Sequence, residues 1–295
     1  MRTEREMLDL IMNFARSDQR IRIVSMEGSR TNANVPKDDF QDYDISFLVT
    51  DTDSFIKNDD WLNVFGKRII MQKPEAMDLF PPESDWFSYL MIFQDDIKMD
   101  LSIIPIELLD KYLKSDKLIK VILDKDGLVL NPPIPSDEDF WIYKPSASFF
   151  DDCCNEFWFV STYIAKGLFR NEILFASYHM EHIARVQLFN MLTWKIGIDF
   201  GYGFSVGKHF KYIHRYMSKT EWELLMKTYC MDTIDNCWIA LESAHMLFRQ
   251  VSHHVADGFG YLYPDYDVQV TKYIEKHRFH LSNAPSGDQT HGLPH

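Results

Sequence analysis

Apolar residues recur at Met7, Leu10, Ile11 and Phe14 with charged residues between them, and this spacing predicts an amphipathic helix at the start of the chain. The next apolar runs are short and rich in β-branched residues, which reads as strands. They are Ile21 to Met26, ending at Gly28, then Tyr43 to Thr50, then Arg68 to Gln72. Between the last two, a helix is expected from Asp53, a plausible N-cap, through Trp61, Leu62 and Phe65. Ser88 to Gln94 and Ile97 to Ile104 flank Asp95 and Asp96, and so predict a hairpin around a tight acidic turn. This half reads as a mixed α/β sheet.

Pro132, Pro133 and Pro135 close that region and Pro145 ends a candidate linker. From about Ser148 the pattern changes to apolar residues at i, i+3, i+4 and i+7, through FFDDCCNEFWFVSTYIAKGLF and EILFASYHMEHIARVQLFNMLTWKIGI. Gly201, Gly203 and Gly207 interrupt it. Further helices are expected around Glu221 to Tyr229, over Thr233 to Val255, and from near Asp265 through Ile274. The end, SNAPSGDQTHGLPH, has turn formers and no apolar face, so a disordered tail is expected over 282–295.

Composition narrows the classes. The chain has 295 residues, with 31 Lys and Arg against 44 Asp and Glu and a net charge of −13. A protein that rides a phosphate backbone needs a basic stripe, so nucleic acid is disfavoured as a partner and a cationic one fits better. No continuous apolar run is long enough to span a bilayer, and the charged N-terminus is unlike a secretory leader, so no membrane association is expected. Four cysteines, two of them adjacent at Cys153 and Cys154, make neither a disulfide framework nor a zinc pair. Buried reduced thiols and a cytoplasmic location are expected.

Three features of the first region belong together in order and context. Gly28 and Ser29 sit where a buried strand ends, a place where backbone amides and a hydroxyl can converge on a phosphate. Asp42 and Asp44 open the second strand, and alternate strand residues share a face, so their carboxylates can hold one or two hard cations. Asp100 lies within an apolar strand, where an ionised carboxylate is costly unless a cation compensates it. With 44 acidic residues, acid-x-acid spacing alone arises often by chance.

The segment EGSRTNANVPKDDFQDYDISFLVTD resembles the signature of the nucleotidyltransferase superfamily that includes DNA polymerase beta. It resembles more closely the bacterial aminoglycoside 6-adenylyltransferases, or streptomycin adenylyltransferases. FGKRIIMQKPE, MDLSIIPI, LLDKDG, FDDCCNEFWFVSTYIAKGLFRNEILFA and FRQVSHHVADGFGYLYPDYD resemble that family too, so the likeness covers nearly the whole chain except the tail. The resemblance implies an α+β chain: an N-terminal nucleotidyltransferase domain over 1–135 with a mixed β-sheet flanked by helices, and an all-helical domain over 136–281. It implies AMP transfer from ATP to a streptomycin hydroxyl with release of pyrophosphate, and hence aminoglycoside resistance. Gly28 and Ser29 match the position that cradles the triphosphate, and Arg30, next in the same loop, is expected to bind the nucleotide with them. Asp42 and Asp44 match the pair that binds Mg2+, two ions in a two-metal displacement, and Asp100 matches the third carboxylate. That third acid is the expected general base, a further metal ligand, or both. Transfer to a different acceptor and a non-catalytic nucleotide-binding module are the alternatives.

Other candidates rest on less. Lys166 and Arg170 lie four apart on an expected helix and can meet the β and γ phosphates, against a solvated helix face as the simpler account. Asp151, Asp152, Glu156 and Glu181 are acids on otherwise apolar and aromatic helices, suited to the guanidinium groups of streptomycin beside Trp158 or Tyr163. Helix capping explains Asp151 and Asp152 equally well. His179, Glu181 and His182 do not have zinc-site spacing.

Overall fold

The structure is a computed structural model, and it describes residues 2–80 and 85–282. Residues 283–295, which hold all but the first residue of the expected tail, lie outside the described residues. The chain divides into two compact units, Met1–Asp139 and Phe140–His295. The sequence places that division at 135 and 136.

Among the described residues, the first unit is built on six strands: β1 (Ile21–Glu27), β2 (Tyr43–Val49), β3 (Arg68–Gln72), β4 (Phe87–Phe93), β5 (Lys98–Pro105) and β6 (Lys120–Asp124). They form one sheet in the order β3-β4-β5-β2-β1-β6. β2 and β5 run parallel, and the other neighbours are antiparallel. Helix α1 (Glu4–Ser17) starts at a capping box in which Thr3 and Glu6 satisfy each other's backbone amides. Its Met7, Ile11 and Ala15 are buried with Phe47, Phe65, Tyr89 and Leu101 in one core on one face of the sheet. Burial of each larger side chain there contributes roughly 1.5–3 kcal/mol. The ring of Phe14 stacks on Trp61 at 5.6 Å.

The expected helix from Asp53 to Phe65 is instead a short turn α2 (Asp53–Ile56) and a separate 3-10 turn over Asp60–Phe65. Asn58, Asp59 and Asp60 break the run, and the Asn58 side chain accepts from the Asp60 amide at 2.7 Å in place of helical bonding. Strand β6 and helix α3 (Leu109–Tyr112) carry no pattern that the sequence reading used. β6 is short, pairs only with β1 and is partly exposed, so its apolar alternation is weak.

The opposite face of the sheet changes in polarity from one end to the other. Ile23, Leu48 and Ile104 are register neighbours and form an apolar row with Tyr112 and Ile119. One step on, Ser25, Ser46, Ser102 and Ser88 line up across four strands. The next row is Glu27, Asp44 and Asp100. Pleating places all three rows on the same side, because alternate residues of a strand share a face.

The second unit is helical: α4 (Ala147–Phe169), α5 (Ile173–His179), α6 (Arg185–Phe200), α7 (Lys219–Lys227), α8 (Ile234–Phe259) and α9 (Tyr266–Ser282). Its core includes Phe157 stacked on Phe248 at 3.7 Å. The segment expected as one helix from Glu172 onward contains a π turn over Met180–Ala184 between α5 and α6. Its buried residues Ala176, Met180, Ala184 and Leu188 recur every four positions. A period of 3.6 drifts away from that spacing, and a wider i to i+5 turn absorbs the drift. No described helix is long and apolar enough to cross a membrane. All four cysteines are unbridged, and Cys153, Cys154 and Cys237 are buried as expected, but Cys230 is exposed.

Candidate active site

The acid row lies where β1 ends and β2 begins. Gly28 takes φ +66, a left-handed conformation that turns the chain out of β1 into a 3-10 turn over Gly28–Arg30. A Cβ at this position would stand 2.2 Å from Oδ2 of Asp44, so only glycine lets the backbone pass this close to the carboxylate. The bend is then tied down: Thr31 Oγ1 donates to the Gly28 carbonyl at 2.9 Å and Gln41 Nε2 donates to the Ser29 carbonyl at 3.2 Å.

Arg30 holds the loop that delivers Asp42. Its guanidinium donates to the carbonyls of Asp42 at 2.9 Å and Gln41 at 2.8 Å, and it lies over the Tyr43 ring at 3.7 Å. The side chain is 11% exposed, with Glu4 at 3.8 Å. With Nε and Nη2 donating to the backbone, Arg30 shapes the entry to β2.

Parallel pairing of β2 with β5 sets Asp44 beside Asp100, and Asp42, the residue just before β2, reaches Lys98 at the start of β5. The Lys98 ammonium bridges the outer acids, donating to Asp42 Oδ2 at 2.6 Å and Asp100 Oδ2 at 2.9 Å. Three carboxylates and one ammonium thus share a face. Burial, and then Asp100, Asp42 and Glu27, push the Asp44 carboxyl up to about 7. Burial draws Lys98 down, but its hydrogen bonds to Asp42 and Asp100 outweigh that and hold it above the usual lysine value.

The donor chemistry fits a hard divalent cation. All the ligating groups are carboxylate oxygens, and Asp100 Oδ1 is buried with no hydrogen-bond partner. Among the described residues, however, no three acids, histidines or cysteines form a ready cage for a metal ion. The lysine occupies the position between Asp42 and Asp100.

Sequence reasoning missed Lys98 and Glu27. Lys98 shares its strand face with Asp100 by alternation, a signal present in IKMD but empty of meaning without the β2–β5 pairing. Glu27 closes an apolar strand just before Gly28, and Oε1 accepts from Ser46 Oγ and from Tyr112 Oη. Those bonds anchor the acid row to the serine row and to helix α3.

The remaining candidates lie in the helical unit. Lys166 is on α4 and Arg170 is its C-terminal cap, four residues on, and both are exposed. Lys166 Nζ lies over the Tyr163 ring at 5.3 Å. Helix α4 begins at Ala147 with Ser146 as its cap, which places Asp151 and Asp152 in the second turn and removes capping as their explanation. Asp152, Glu156, Phe159 and Tyr163 form a stripe along α4, whereas Trp158 is buried. Asp151 Oδ2 accepts from Tyr266 Oη at 3.3 Å. Glu181 stands on the π turn, paired with the buried guanidinium of Arg185.

Comparison with known proteins agrees across nearly the full length. A curated aminoglycoside 6-adenylyltransferase of Bacillus subtilis is 53% identical over 93% of this chain and 98% of its own. One from Campylobacter jejuni is 52% identical over 93% and 95%. One from Staphylococcus aureus is 43% identical over 93% and 98%. A solved structure of an aminoglycoside 6-adenyltransferase from Bacillus subtilis is 47% identical, covering 96% of this chain and 100% of that one, with a TM-score of 0.47. The family model for Streptomycin adenylyltransferase matches residues 1–277. This chain is an enzyme, and it belongs to the streptomycin adenylyltransferase family.

Proposed function

We propose that this chain transfers the adenylyl group of ATP to a hydroxyl of an aminoglycoside, streptomycin being the acceptor, and so confers resistance to it. The observation that carries this reading is the gathering of Asp42, Asp44 and Asp100 at one end of the β2–β5 pair, beside a bend that only glycine can make. The acceptor oxygen attacks the α-phosphorus, the bond from that phosphorus to the bridging oxygen breaks, and pyrophosphate leaves with the electron pair. Asp100 takes the hydroxyl proton. Asp42 and Asp44, with Asp100 as a further ligand, would hold Mg2+, two ions in this reading, which would supply charge neutralisation to the triphosphate and the departing pyrophosphate. Gly28 and Ser29 bring backbone close to the phosphates, while Arg30 keeps Asp42 in place.

In the helical unit, Asp152 and Glu156 on α4 offer carboxylates next to the exposed Phe159 ring, a combination that suits guanidinium groups. Asp151 is already engaged by Tyr266 and Glu181 by Arg185, so these two contribute less. Lys166 and Arg170 are exposed cations that remain candidates for the outer phosphates. A net charge of −13 favours a polycationic acceptor over RNA, and ATP supply with unbridged cysteines accords with a cytoplasmic location. The test is to incubate the protein with ATP, Mg2+ and a panel of aminoglycosides and to weigh the products. One AMP added to streptomycin supports the reading, whereas unmodified drugs throughout reject it.

A further inference from the structure

Asp100 lies on β5 and Asp42 immediately precedes the neighbouring parallel strand β2, and the only described cation between them is the Lys98 ammonium. Two partly exposed carboxylates held on one ammonium repel each other, and one of them, Asp100, has its other oxygen buried without a hydrogen-bond partner. Lys98 relieves that repulsion, but it does so by standing where a cation shared by the two acids would have to stand. Its side chain is 38% exposed, so the ammonium is not locked in. Beside it lies a cavity of about 460 Å³, lined by Lys98 and Asp42 themselves and by Arg30, Lys37, Phe40 and Asp96. The four-carbon stem therefore has space to turn into.

We propose that Lys98 is a positioning residue that holds the Asp42–Asp100 pair ready and must be displaced before a divalent cation can bridge it. The inference rests on the reading of these acids as cation ligands. Its consequence has a sign opposite to that of a structural brace. Removing a brace would let the acids splay and would weaken cation binding, whereas removing a resident competitor strengthens it. A pair of partly exposed ion pairs is worth on the order of 1 kcal/mol, so the gain is about fivefold in affinity.

The experiment titrates nucleotide-free protein with Mn2+ and reads the unbound ion by electron paramagnetic resonance, for wild type, Lys98→Met, Lys98→Gln, Lys98→Arg and Asp42→Asn. The expected result is Mn2+ binding about fivefold tighter in Lys98→Met and Lys98→Gln than in wild type, and no tighter in Lys98→Arg, which keeps the charge. Equal or weaker binding in the uncharged variants, with wild-type binding lost in Asp42→Asn, overturns the role of Lys98 and leaves the acids as ligands. Binding that Asp42→Asn does not reduce overturns both. The glutamine variant gives the same readout should methionine disturb the fold.

Discussion

Gly28 and Asp44 are fitted to one another: a methyl group on the glycine would stand 2.2 Å from Oδ2 of the aspartate, and the glycine φ is +66. The bend after β1 and the carboxylate at the start of β2 therefore form one unit. Gly28→Ala strains the backbone and pushes Asp44 aside together. The expected outcome is a fall of about 100-fold in kcat/KM with a stability loss of about 1–3 kcal/mol, measured by steady-state pyrophosphate release and urea unfolding. Wild-type kinetics in this variant would mean that the close approach has no part in the reaction.

Asp100→Asn removes the proposed proton acceptor while keeping its shape. Turnover should fall at least 100-fold and ATP affinity by less than about threefold, a split that isothermal titration with ATP and Mg2+ can follow beside the rate. Equal losses in both would assign Asp100 to ATP binding and not to proton transfer.

Arg30 serves the loop through two backbone carbonyls and the face of Tyr43. Arg30→Ala should cost about 1.5–3 kcal/mol in urea unfolding and lower kcat more than it raises the KM for ATP, because Asp42 loses its tether. A change confined to KM would return Arg30 to direct phosphate contact.

His245 gives the helical unit an acid-sensitive point. Burial, and then Arg249, hold its imidazole down at about 3 from an ordinary value of 6.5, with Asp267 acting in the other direction. The folded protein keeps this ring neutral, while the unfolded chain takes up a proton below 6.5. Stability from this group is complete above that pH and is lost as pH falls toward about 3, by up to about 1.4 kcal/mol for each pH unit. Urea midpoints at pH 7 and pH 5 should therefore diverge less for His245→Phe than for wild type. An unchanged divergence would contradict the buried neutral imidazole.

Much of this was legible in the chain itself, for physical reasons that differ by element. Strands β1, β2 and β5 announce themselves because their buried faces demand β-branched and aromatic residues, and Asp100 stands out there as a charge in an apolar run. The spacing of Asp42 and Asp44 fixes a shared face by strand alternation alone. What was hidden depends on pairing between distant segments. Lys98 acquires its meaning only when β5 lies parallel to β2, and Glu27 only when Tyr112, 85 residues away, reaches it. The π turn at Met180–Ala184 was missed because a four-residue repeat of buried positions looks helical in sequence, although no regular α-helix keeps it on one face. Asp59 and its neighbours ended α2 through local side-chain bonds that outcompete a helix whose apolar residues suggested more.

The central claim is that Asp42, Asp44 and Asp100 together carry adenylyl transfer to an aminoglycoside. Pyrophosphate release from ATP and Mg2+, with and without streptomycin, tests it most directly in wild type, Asp42→Asn and Asp44→Asn, each checked for wild-type circular dichroism. The account predicts release that requires streptomycin in wild type and falls at least 1,000-fold in both variants. Streptomycin-dependent release that survives in either folded variant, or no such release in wild type, would contradict it.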